Sequence, residues 1–125
     1  MARILVVDDA KIMRMNIKKM LTSLGHEVIA EAASGHEAIE QYKKYSEKID
    51  LVTMDITMPM DQGIEDGIMA VKLIVEFDPS AKIIMVTSHG EQAKVIQAIQ
   101  SGASNYLLKP IQMDKLTDAL NKLGI

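Results

Sequence analysis

The chain has 125 residues, no cysteine, no tryptophan and a net charge of −3. That length suits one domain with one core, residues 1–125, and the missing cysteines exclude a disulfide framework or a thiolate site and fit a reducing, cytoplasmic home. An acidic balance speaks against a nucleic-acid partner, and no apolar window is long enough to span a membrane.

Short β-branched runs alternate with helical patterns from the start. Residues 3–7, "RILVV", predict a buried strand, and in residues 11–25 Met13, Ile17, Met20, Leu21 and Leu24 recur at helical spacing until Gly25 stops the helix. Residues 27–32, "EVIAEA", predict a second strand. Residues 34–45 open with Ser34 and carry Glu37 three positions on, the pattern of a capping box. Residues 50–54, "DLVTM", form the third strand, and Ala70, Val71, Ile74 and Val75 stripe the helix over 68–77. Residues 82–87 and 105–109 are the last two strands, followed by helices over 91–102 and 113–124. Ten methionines beside few aromatics predict a core with thioethers filling its gaps.

Five β-α units in this order define an α/β fold, a doubly wound parallel sheet of the flavodoxin-like type. Right-handed crossovers favour strand order 2-1-3-4-5, with a crevice at the carboxyl ends of strands 1 and 3. The strand exits therefore locate the chemistry. Strand 1 exits into Asp8 and Asp9, strand 3 into Asp55, strand 4 into Thr87 and Ser88, and strand 5 into Lys109 and Pro110. Strand 2 exits into Ala32 and Ala33 and offers nothing.

Three carboxylates at one crevice repel unless a cation binds or some protonate. Mg²⁺ takes oxygen ligands, keeps several waters and needs one or two carboxylates, so Asp9, Asp55, a backbone carbonyl and waters suit it. One Asp55 oxygen then stays free as a nucleophile toward a phosphoryl group. Lys109 and the Thr87 hydroxyl can neutralise the remaining phosphoryl oxygens, which is most of what phosphoryl transfer asks of a protein. Taken singly, each residue has a structural explanation: Asp9 caps helix 1, Thr87 or Ser88 caps helix 4, and Lys109 is a solvated lysine before a proline turn. Together they supply every part of one mechanism at one end of one sheet.

The motifs "VVDD" (6–9), "MDITMP" (54–59), "VTS" (86–88) and "LKP" (108–110) occur in order across nearly the whole chain. In this the chain resembles a response-regulator receiver domain of the stand-alone chemotaxis type. The resemblance implies that Asp55 is the phosphoacceptor and that Asp9, Asp55 and the Thr57 carbonyl hold Mg²⁺, with Asp8 acting through water. It implies that Thr87 is the switch hydroxyl, Lys109 the phosphate-pairing lysine and Tyr106 the switch aromatic, and that the Lys109–Pro110 bond is cis. Thr57 and His89 stand where the family tunes phosphoryl lifetime, His89 equally fitting a surface helix start. The implied partners are a sensor histidine kinase and a downstream protein, a motor switch or an adaptor, bound by a monomer through helix 4, strand 5 and helix 5. The only chemistry implied is self-catalysed phosphotransfer and autodephosphorylation.

The sequence departs from the family after Pro59. "MDQGIEDGI" holds a four-residue insertion between strand 3 and helix 3, with Asp66-Gly67 leading into the helix. It is expected either as a neutral solvated loop or as Asp61, Glu65 and Asp66 crowding the pocket rim. A degenerate receiver that only docks proteins shares the fold. So does a flavodoxin-like electron carrier, but two acids in the first loop suit a flavin phosphate poorly. An aspartate-nucleophile phosphatase would want its two acids spaced two apart, unlike Asp8-Asp9.

Overall fold

The structure, a computed structural model, describes residues 1–125. Strands and helices alternate without exception: β1 (Arg3–Val7), α1 (Lys11–Ser23), β2 (Glu27–Ala32), α2 (Gly35–Lys44), β3 (Leu51–Asp55), α3 (Gly67–Phe77), β4 (Ile83–Thr87), α4 (Gln92–Gln100), β5 (Asn105–Leu108) and α5 (Met113–Lys122). The five strands form one sheet in the order β2-β1-β3-β4-β5, and every pairing is parallel. β1 and β3 lie side by side with Val7 opposite Met54, so their exits face one crevice.

Strands β3 and β4 are buried along their whole length, as mostly apolar strands in a sheet covered on both faces should be. Side chains alternate across the sheet into two cores. Leu5, Val7, Val52, Met54, Ile83 and Met85 pack under α2, α3 and α4, while Ile4, Val6, Leu51, Ile84 and Leu107 pack under α1 and α5. Each such fully buried side chain contributes about 1.5–3 kcal/mol, which is what holds β3 and β4 rigid beneath the crevice. The thioether-filled core is only partly realised. Met54, Met58 and Met85 are buried, but Met1, Met15, Met60, Met69 and Met113 are exposed. The interior space is filled by branched aliphatic residues, whose fixed rotamers suit strands better.

Local chemistry sets the element ends. Ser34 caps α2 by accepting from the Glu37 amide at 3.1 Å, and the Glu37 carboxylate accepts from the Ala33 amide at 2.8 Å. The capping box is thus present, its return bond falling one residue early. The β5 ladder stops because Pro110 has no N–H, and the Lys109–Pro110 bond is cis. His26 accepts from the Ala2 amide at 3.0 Å and steadies the start of β1.

The insertion after β3 is a largely solvated segment folded into a small hairpin. Asp61 and Ile64 exchange both backbone hydrogen bonds, at 3.1 and 3.0 Å, around Gln62 and Gly63. Both turn residues have positive φ, +49° and +83°, the conformation of a two-residue type I′ hairpin. The Asp61 carboxylate accepts from the Ser34 hydroxyl at 2.7 Å, and Asp66 caps α3 by accepting from the Met69 amide at 3.0 Å. Two of the three acids are therefore taken up in holding the hairpin to α2 and starting α3, and Glu65 is exposed.

Candidate functional site

The crevice is built from strand ends whose backbone is already fixed. Asp55 is the last residue of β3, paired with Val86, and the Ile56 carbonyl accepts from the Gly67 amide at 2.8 Å. That bond draws the start of α3 onto the strand end. A methyl group on Gly67 would overlap the Asp55 carbonyl oxygen and stand 3.1 Å from the Ile56 Cα, so only glycine permits the approach.

Asp8 is 1 % exposed. Its Oδ1 accepts from the Ala10 amide at 2.9 Å, and its Oδ2 accepts from the Lys109 ammonium at 3.0 Å. The same ammonium donates to Asp55 Oδ1 at 3.3 Å, so one cation from the end of β5 joins the acids of β1 and β3. Asp9 is exposed and does not cap α1, whose N-cap position is Ala10 with no side-chain bond. One carboxylate oxygen from each of Asp8, Asp9 and Asp55 lies within 4.8 Å of the others. The expected convergence of first- and third-strand acids on the last-strand amine is thus what the fold produces. The Asp55 side chain keeps 7 % of its surface open to solvent, beside exposed Asp9.

The electrostatics follow from this crowding. Burial, then the Asp8 charge, push the Asp55 carboxyl up to about 6, with Asp9 adding to the rise and Lys109 opposing it. Burial alone would lower the Lys109 ammonium, but hydrogen bonds and charge from Asp8 and Asp55 outweigh it and hold the group above the ordinary lysine value. Three hard oxygen donors, one exposed and one reluctant to ionise alone, fit a hard divalent cation, which would stabilise Asp55 as a carboxylate.

The other expected residues lie around this cluster. Thr87 is buried at the end of β4, and Thr57 is exposed on the loop after β3. Tyr106 points outward, 47 % exposed. With Val95, Ile96, Ile99 and Leu108 it lines a groove of about 440 Å³ that also takes in Thr87 and Glu91. His89 is exposed and borders a second hollow beside β5 and α5.

Two residues of the site were not anticipated. Arg14, in the first turn of α1, donates through Nη1 to the Asp8 carbonyl oxygen at 2.7 Å and through Nε to Glu31 at 3.2 Å. It ties β2, the strand that was to offer nothing, to the base of the crevice. Glu91 precedes α4 and accepts from the Thr57 hydroxyl at 2.8 Å, the Ser88 amide at 3.0 Å and the Thr87 hydroxyl at 3.2 Å. Burial raises its carboxyl, but those donors and Lys94 together outweigh this and hold it below the ordinary glutamate value. A signal for Glu91 stands in the sequence: "SHGE" (88–91) is a capping-box pattern, here half used. No local pattern marks Arg14, whose partners lie on separate elements.

A parallel 2-1-3-4-5 sheet with acids at β1 and β3, a threonine at β4 and a lysine-proline at β5 defines a receiver domain. The chain belongs to that family: residues 4–121 match the response regulator receiver domain. Within it the chain is CheY-like. It is 49 % identical to the chemotaxis protein CheY of Thermotoga maritima, over 98 % of this chain and 97 % of that one. It is 52 % identical to the chemotaxis protein CheY of Bacillus subtilis, over 96 % and 95 %. Its fold matches a chain in the crystal structure of the CheX–CheY–BeF3–Mg complex from Borrelia burgdorferi, with a TM-score of 0.91 and 33 % identity over 99 % of this chain and 90 % of that one. No helix is long and apolar enough to cross a membrane.

Proposed function

We propose that the chain is a phosphorylation switch of a two-component system with a chemotaxis-type output, and that Asp55 is its phosphoacceptor. An Asp55 oxygen attacks the phosphorus of a phosphohistidine on a sensor kinase. The new O–P bond forms as the P–N bond breaks, and the imidazole leaves with a proton from solvent. Asp9, Asp55 and the Thr57 carbonyl would hold Mg²⁺, with Asp8 acting through water; when bound, the ion neutralises phosphoryl oxygens.

The chain's own residues do the rest. Lys109, now shared between Asp8 and Asp55, supplies a point charge to a second phosphoryl oxygen. Thr87 donates its hydroxyl to a third. That movement vacates space at the end of β4, and Tyr106 turns from its outward position into it. The groove between α4 and β5 changes shape, and a downstream protein reads the change, meeting the chain as a monomer. Hydrolysis of the aspartyl phosphate, with Thr57 and His89 beside the path of water, resets the switch.

The observation that carries this reading is the single ammonium of Lys109 held between two carboxylates of different strands at the solvent edge of the sheet. Incubation with acetyl phosphate and Mg²⁺ should add one acid-labile phosphoryl group, lost in Asp55→Asn and in excess EDTA. A wild-type chain that gains no phosphate would leave a docking module as the better reading.

A further inference from the structure

Glu91 makes an unusual set of bonds for a residue at the start of a helix. Its backbone occupies the N-cap position of α4, yet its side chain gives no cap to that helix. The carboxylate instead folds back over the exits of β3 and β4. Oε2 accepts from Thr57 Oγ1 at 2.8 Å, and Oε1 accepts from Thr87 Oγ1 at 3.2 Å and the Ser88 amide at 3.0 Å. Lys94 stands 3.8 Å from Oε2. The side chain is only 19 % exposed, so these contacts are made at a partly dried edge of the crevice, where hydrogen bonds to a charge count for more. A residue needed only to start α4 has no use for hydroxyls from the end of β4 and from the loop after β3.

We infer that Glu91 is a latch, a positioning residue that engages the Thr57 and Thr87 hydroxyls in the unphosphorylated chain and must release Thr87 for the switch to turn. The inference rests on Asp55 being the phosphoacceptor and adds a control that the family reading does not contain.

Three physical consequences make the latch work. A threonine hydroxyl has one proton, shared here between Glu91 and, at 3.4 Å, the Ser88 carbonyl, so it cannot also be given to an oxygen on Asp55. Phosphorylation therefore sets two acceptors in competition for the same donor. The Glu91 carboxylate also carries the same charge as the incoming phosphoryl group, which it disfavours across the crevice. Finally, Glu91 is the residue from which α4 departs, so surrender of Thr87 loosens the first turn of α4 at the moment the neighbouring groove must change. The latch thus couples the site to the proposed output face through one side chain.

The test uses the full chain and acetyl phosphate with Mg²⁺, followed by intact mass. Glu91→Ala should take up phosphate about threefold to tenfold faster than wild type, the scale of one or two net hydrogen bonds. Glu91→Gln keeps one acceptor oxygen without the charge and should fall between the two. Without any phosphodonor, amide exchange in the first turn of α4 should quicken in Glu91→Ala. The acceleration should shrink when Glu91→Ala is placed in a Thr87→Ala chain, because the competition for that hydroxyl is gone and only the charge of Glu91 is left to relieve. Normal wild-type phosphorylation with an unchanged or slower rate in both Glu91 variants overturns the latch alone, as does equal acceleration in the two Thr87 backgrounds. A wild-type chain that takes no phosphate overturns the receiver reading and the latch with it.

Discussion

Replacing Asp55 by asparagine should make the metal-free fold more stable at neutral pH, although it removes the proposed phosphoacceptor. Burial and the Asp8 charge lift the Asp55 carboxyl from 3.8 to about 6 in the folded chain. A difference of that size corresponds to about 3 kcal/mol of folding free energy lost when the group ionises. Because the folded value lies above the unfolded one, the folded chain holds the proton more tightly. Stability is therefore fully present below the unfolded value and falls as pH rises from about 4 through about 6. Asparagine keeps the shape and can still accept from Lys109, and relaxation around the charge reduces the relief. The net gain should be about 1–2 kcal/mol, or roughly 4–8 °C in Tm for a domain of this size. Thermal and urea unfolding of both chains in EDTA, across that pH window, measures it. The two stability curves should meet at the acid end and separate toward neutrality. Added Mg²⁺ should then stabilise wild type and leave the variant nearly unmoved. Equal stability at neutral pH, or a gap that persists unchanged in acid, refutes the reasoning, since either means the acids do not strain the fold.

Lys109→Met leaves buried Asp8 and Asp55 without a cation and should cost about 3 kcal/mol by denaturant unfolding, with Mg²⁺ restoring part of it. Gly67→Ala drives a methyl into the Asp55 carbonyl and should cost about 2–3 kcal/mol, with chemical-shift changes centred on β3 and the start of α3. Ser34→Ala removes both the cap of α2 and the anchor of Asp61. It should cost about 1 kcal/mol and speed amide exchange at Asp61 and Ile64 while leaving the sheet protected.

What the sequence determined by itself was periodic or punctual. Alternating strand and helix patterns specified five β-α units, the apolar runs of β3 and β4 specified a parallel sheet, and the acids at the exits of β1 and β3 fell beside each other once that order was accepted. These features are legible because backbone periodicity and crossover handedness act through neighbours in the chain. Only the tertiary structure decided what depends on residues distant in sequence. The insertion could be seen, but the bond of Asp61 to Ser34 requires α2 to be in place. Arg14 reaches Asp8 and Glu31 only because β1 and β2 pair beneath α1. Glu91 meets Thr57 across an interval of 34 residues, and no local pattern encodes which hydroxyl a carboxylate will find when two strands are brought together by packing.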